Sequence, residues 1–148
     1  MKVLVIGETG VGKSTISNAL VGDMFFESGP SDGGGLTTCK SSKIVNDVEF
    51  IDVPGYNDAK KENINIASDA VSKILKCEDS IVIVFVIELT PWRLKNTDAC
   101  AISSFVEAIA NLNDHSIQFG TVINKADDEF LDDWKEEPEG CKVFKSTL

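Results

Sequence analysis

Basic runs are missing from this chain: 14 lysines and arginines stand against 24 aspartates and glutamates, a formal net charge of −10. Lys and Arg contacts to phosphates dominate nucleic-acid affinity, so this balance argues against docking on RNA or DNA. It argues equally against direct docking to anionic lipid. No apolar run is long enough to cross a bilayer; the longest, Ile81 to Ile87, has the length of a buried strand. The first strand-like run begins at Lys2 and leaves no room before it for a signal or transit peptide. The single histidine, His115, sits in a polar stretch and reads as solvated rather than catalytic. Four cysteines (Cys39, Cys77, Cys100, Cys141) lack metal-site spacing and read as reduced thiols, which points to a cytoplasmic setting. Internal repeats and low-complexity segments are also absent. What remains is ordinary for one globular domain over residues 1–148, with 43% hydrophobic and 26% charged residues.

The chain does hold a glycine-rich phosphate loop. Gly7 to Ser14 read G-E-T-G-V-G-K-S and follow the apolar run Val3-Leu4-Val5-Ile6. G-x-x-x-x-G-K-[ST] between a strand and a helix is a nucleoside-triphosphate site. Gly7, Gly10 and Gly12 let the backbone turn and aim its amides inward. The helix that follows favours an anion at its N-terminus. The phosphate contacts are therefore expected from Gly7, Glu8, Thr9, Gly10, Val11, Gly12, Lys13, Ser14 and Thr15. Lys13 reaches the β- and γ-oxygens, and the Ser14 hydroxyl ligates Mg²⁺.

Two further motifs select the nucleotide and supply the switch. Asn124-Lys125-Ala126-Asp127 follows the strand-like run 119–123. The Asp127 carboxylate can accept from guanine N1–H and the 2-amino group, donors that adenine does not present in that arrangement. The Lys125 stem can lie along the purine, and Asn124 can tie this loop to the phosphate loop. GTP and GDP are thus the expected ligands. Asp52-Val53-Pro54-Gly55 ends another strand-like run, placing Asp52 at the Mg²⁺ site and the Gly55 amide at the γ-phosphate. Loss of that phosphate would release the segment after Gly55. A magnesium-ligating threonine is expected at Thr37 or Thr38, with Thr37 favoured, after the glycine-rich stretch Gly29–Gly35. The position after D-x-x-G, where many GTPases carry a water-orienting glutamine, is Tyr56. Intrinsic hydrolysis on the order of 10⁻³ per second or slower is expected.

The periodicity predicts strands at Lys2–Ile6, Ser42–Val45, Val48–Val53, Ser80–Ile87, Gln118–Ile123 and Cys141–Phe144. Helices are predicted at Lys13–Val21, Glu62–Lys76 and Thr97–Leu112, the last with Ile102, Phe105, Val106, Ile109 and Leu112 on one stripe. Val45-Asn46-Asp47-Val48 reads as a hairpin. The fold class is therefore α/β, a mostly parallel sheet with one antiparallel strand and helices on both faces. The stretch from Asp127 to Glu139 has eight acids and one lysine and reads as a solvated helix or a protein-contacting surface.

With Leu36-Thr37-Thr38-Cys39, these motifs resemble the AIG-type (immune-associated nucleotide-binding) GTPases, grouped with septins and chloroplast-import GTPases. The resemblance implies a P-loop G domain. Arg93-Leu-Lys-Asn-Thr-Asp98 falls where the family carries an Arg-x-x-x-x-Asp element. The switch here reads T-T-C rather than T-x-x-C, and the chain stops before the closing C-terminal helix such domains carry. Relatives associate through the nucleotide face, and several reach membranes through segments beyond the G domain. This implies a GTP-dependent homodimer, to which Arg93 could contribute, and no membrane segment in this chain. A slow GTP/GDP switch is the leading reading. A GTP-dependent assembly module with little hydrolysis is the alternative.

Overall fold

The computed structural model describes residues 1–29, 41–56, 71–73, 76, 80–89, 93–110 and 117–126. The elements run β1 (Lys2–Gly7), α1 (Lys13–Val21), β2 (Ser41–Val45), β3 (Val48–Asp52), β4 (Ile81–Ile87), α2 (Asn96–Ala110) and β5 (Ile117–Ile123). Among the described residues the strands form one sheet in the order β2-β3-β1-β4-β5. β1 is parallel to β3 and to β4, and β5 is parallel to β4. β2 runs antiparallel to β3, as the hairpin predicts. Its turn uses Asn46 (φ 50°) and Asp47 (φ 64°), the positive-φ pair that a two-residue turn needs to match strand twist.

The alternation of side chains along β1 separates two cores. Leu4 and Ile6 point to the face shared by Ile51, Ile81, Ile83, Phe85 and Ile117. Ile102 and Phe105 of α2 pack there, with Phe105 edge-on to Phe85 at 5.9 Å. Val3 and Val5 point to the opposite face with Val11 and Val86, against Ile16 of α1. Burying both faces requires strands that are apolar throughout, and Val3 to Ile6 of β1 and all of β4 are. Ile83 is fully buried, so truncating it to alanine costs about 2–5 kcal/mol through lost transfer energy and a cavity.

Most expected boundaries lie within one residue of the observed ones. The expected helix Glu62–Lys76 is described only at 71–73, which are helical with Val71 buried, and at Lys76. Thr37, Thr38, Asp127, His115 and the expected strand Cys141–Phe144 lie outside the described residues, as does the stretch where a closing helix would follow. Of the α2 stripe, Ile102 and Phe105 meet the core and Val106 is half-buried, while Leu112 is outside the described residues. β1, β3, β4 and β5 all end at one edge of the sheet. Ligands of open α/β sheets bind at that carboxyl edge, and every described site residue gathers there.

Candidate functional site

The phosphate loop is a turn that core packing holds and glycine permits. Val11 is 1% exposed and anchors the loop in the α1-side core. Gly10 and Gly12 stand at φ 83° and 93°, the left-handed region a side chain disfavours. Gly12 is also the N-cap of α1, and it has no side chain to bond the first turn, which carries no acidic residue either. The helix therefore offers its N-terminal amides and positive dipole end to the cleft. Gly22 closes α1 at φ 74°, donating its N–H to the Asn18 carbonyl at 2.9 Å.

An open cleft lies over this turn. Thr9, Gly10, Gly12, Lys13, Ser14 and Thr15 form its floor, and Gly55 faces them. Lys13 is 6% exposed and donates to the Glu8 carbonyl at 3.0 Å, which stretches its ammonium back over the loop. The Ser14 hydroxyl donates to Asp52 Oδ2 at 2.7 Å. Asp52 is buried at the end of β3, opposite Val5 of β1, so the sheet register brings it to the start of α1. A hydroxyl and a carboxylate converging beside a phosphate cleft are the hard oxygen donors Mg²⁺ takes, and that ion completes its shell with phosphate and water oxygens. The donor set fits the metal. Among the described residues no three of His, Cys, Asp and Glu gather into a separate metal cluster.

The guanine-motif loop is fastened to the phosphate loop. Asn124 Nδ2 donates to the Val11 carbonyl at 2.8 Å, and Lys125 Nζ donates to the Gly10 carbonyl at 2.9 Å. Lys125 also pairs with Glu88, just past β4, at 3.1 Å, and its own φ is 57°. Gly12 has no room for a side chain, because a Cβ would strike Asn124 Nδ2. Gly55 is equally confined: a Cβ would lie 2.5 Å from the Thr9 amide nitrogen and 2.7 Å from its Cα. Three chain segments far apart in sequence thus close on one cleft. Glu8 differs from its neighbours: its side chain is engaged by Lys95 at 2.9 Å, which raises the Lys95 pKa.

Two features of the site were not anticipated from the residues. One is the way the cleft wall of Glu27, Ser28 and Gly29 is anchored. It is held by Asn18, buried on α1. Asn18 Oδ1 accepts from the Phe25 and Phe26 amides at 3.0 and 2.7 Å, and its Nδ2 donates to the Phe26 carbonyl at 2.8 Å and the Ser28 hydroxyl at 3.4 Å. The signal was available: asparagine inside a short helix is out of place unless its amide is used elsewhere. The other is the Tyr56 hydroxyl, which donates to Asp98 Oδ1 on α2. Burial, and then the Asp98 carboxylate, push the Tyr56 pKa well up.

The profile of the 50S ribosome-binding GTPase family matches residues 2–125. The chain belongs to this family. As a G domain it is similar to immune-associated nucleotide-binding protein 3 of Arabidopsis thaliana, at 25% identity over an alignment of 153 positions that covers 99% of this chain. It spans 45% of the length of that relative. Among solved structures it is similar to Era in complex with MgGDPNP and 16S ribosomal RNA nucleotides, with 27% identity and a TM-score of 0.55. That likeness covers 82% of this chain and 39% of Era. It is also similar to a structure of the chloroplast translocon GTPases atToc33 and psToc159, whose dimerization is described as important for GTPase activity. There the identity is 27%, the TM-score 0.53, and the cover 72% of this chain and 43% of the other. The likeness to AIG-type and chloroplast-import G domains expected from the motifs is thereby borne out.

Proposed function

We propose that this G domain is a GTP/GDP switch that binds Mg²⁺ with the nucleotide and hydrolyses GTP slowly. The observation that carries the proposal is the closure of three segments on one cleft. Asn124 and Lys125 are bonded to the phosphate loop, and Ser14 and Asp52 meet beneath it. In this reading Lys13 and the loop amides bind the β- and γ-phosphates, and the Gly55 amide senses the γ-phosphate. Mg²⁺, held by Ser14, Asp52 and Thr37, would neutralise the phosphate charge. Asp127 reads the guanine edge.

Hydrolysis is slow in this account because the residue after Gly55 supplies no amide to orient water. The Tyr56 hydroxyl is already committed to Asp98. A second copy could complete the site, and the translocon GTPases whose activity depends on dimerization favour that arrangement. The net charge of −10 favours protein over nucleic-acid partners, and cysteines read as reduced thiols favour a cytoplasmic setting in this account. Among the described residues no helix is long and apolar enough to cross a membrane.

Light scattering and phosphate release, each with GDP and with GTP across a range of protein concentrations, test the proposal. The expected result is slow turnover whose specific rate rises with concentration as a GTP-dependent dimer forms. A monomer in both states with flat specific activity would remove the dimer. Guanine-nucleotide binding with no turnover at any concentration would favour the assembly module.

A further inference from the structure

Tyr56 lies immediately after the γ-phosphate-sensing Gly55, and its surroundings are more constrained than a switch needs for flexibility alone. Its backbone N–H reaches the Gly7 carbonyl at 3.4 Å, so residue 56 touches the first residue of the phosphate loop. Its hydroxyl donates to Asp98 Oδ1 in the first turn of α2. Asp98 is 0% exposed, and its second oxygen, Oδ2, has no hydrogen-bond partner among the described residues. A carboxylate that is fully buried, with Tyr56 as its hydrogen-bond donor, holds that donor firmly. One turn earlier, Lys95 pairs with Glu8 of the phosphate loop at 2.9 Å. The start of α2 is therefore tied to the nucleotide cleft twice, once through each loop that would touch the terminal phosphate.

We propose that Tyr56 and Asp98 are a positioning pair that seats the Gly55 amide for the γ-phosphate and links that phosphate to α2. The inference rests on the reading of this cleft as a GTP site and deepens it. Gly55 lies packed on Thr9, close enough that even a methyl group would not fit. Anchoring residue 56 at its hydroxyl and its amide fixes the Gly55 amide before nucleotide arrives. Preorganisation of this kind strengthens contacts made only by the terminal phosphate. GDP lacks that phosphate and gains nothing from it. The pair therefore sets the preference between triphosphate and diphosphate. It does not take part in proton transfer.

The test uses the full chain and measures affinities for GDP and for a non-hydrolysable GTP analogue, both with Mg²⁺. Tyr56→Phe removes only the hydroxyl. Asp98→Ala removes the acceptor, and Asp98→Asn keeps an acceptor oxygen without the charge. The analogue-to-GDP affinity ratio should fall about tenfold in Tyr56→Phe and Asp98→Ala, the equilibrium factor of one well-placed buried hydrogen bond. It should recover most of that loss in Asp98→Asn. A merely structural role would lower thermal stability while leaving the ratio alone. Tyr56 is the chain's one tyrosine, so tyrosinate absorbance on alkaline titration reads this hydroxyl without interference. Asp98→Ala should bring that transition down toward the ordinary tyrosine range. An unchanged ratio in Tyr56→Phe, with both nucleotides bound, overturns the pair. So does an Asp98→Asn ratio as low as that of Asp98→Ala. Failure of the wild-type chain to bind either nucleotide would instead overturn the GTP reading itself.

Discussion

Replacing Asn18 with alanine removes the clamp on the cleft wall and should destabilise the domain by about 2–4 kcal/mol. Asn18 is 5% exposed, and three of its hydrogen bonds fall between 2.7 and 3.0 Å. The fourth, to Ser28 at 3.4 Å, adds little. Two of the partners, the amide and carbonyl of Phe26, belong to a residue only 3% exposed, so water does not replace the lost amide freely. Each buried backbone group left unpaired costs about 1–3 kcal/mol, which sets the estimate. Against a domain stability of about 5–15 kcal/mol, the loss is large without being lethal. Urea unfolding reports the energy through a lower midpoint at unchanged slope. Dissociation of a fluorescent GDP analogue reports the wall. If Phe25 to Gly29 detaches locally while the sheet survives, the midpoint moves little and nucleotide leaves faster. A shift below about 0.5 kcal/mol together with an unchanged dissociation rate would refute the reasoning, because surface substitutions away from special features do no more.

Other expectations follow from single contacts. Gly12→Ala places a Cβ on Asn124 Nδ2 at a backbone φ of 93°, so it should break the Asn124–Val11 bond and cost at least tenfold, roughly, in GDP affinity; wild-type affinity would mean the two loops are not coupled. Asp127→Asn should lose guanine nucleotides and gain xanthine nucleotides, because the amide complements a carbonyl where guanine carries an amine; a competition titration decides it. Tyr56 binds its proton more tightly folded than unfolded. Its stabilisation is therefore fully present below the ordinary tyrosine value of 10.0 and is lost as pH rises toward the higher folded value. Unfolding free energies of wild type and Tyr56→Phe should converge as pH climbs above 10.0, and parallel curves would contradict the assignment.

Much of this architecture was legible because the sheet is buried on both faces. A strand that must be apolar throughout, as Leu4, Val5 and Ile83 are, announces itself in any window of sequence. The phosphate loop was legible for a different reason: its chemistry requires glycine at positive φ and a Lys-Ser pair at one fixed spacing, which the turn at Gly10 and Gly12 meets. What the sequence did not reveal depends on contacts between segments far apart in the chain. Nothing near Tyr56 foretells that its hydroxyl meets a carboxylate 42 positions away. The Arg93–Asp98 element was located by resemblance, yet the burial of Asp98 against Tyr56 follows only from how α2 packs. Asn18 was read as one helical residue among nine, when its side chain serves a different segment.

The central claim is that the cleft selects guanine nucleotides, and a single competition titration tests it most directly. A fluorescent GDP analogue is bound to the domain in the presence of Mg²⁺ and displaced with unlabelled GDP, GTP, ADP and ATP. A site that hydrogen-bonds guanine through the Asp127 carboxylate can reject the wrong base by roughly 10⁴ or more, so GDP and GTP should compete and the adenine nucleotides should not. Displacement by ATP at the same concentration as GTP would contradict the account.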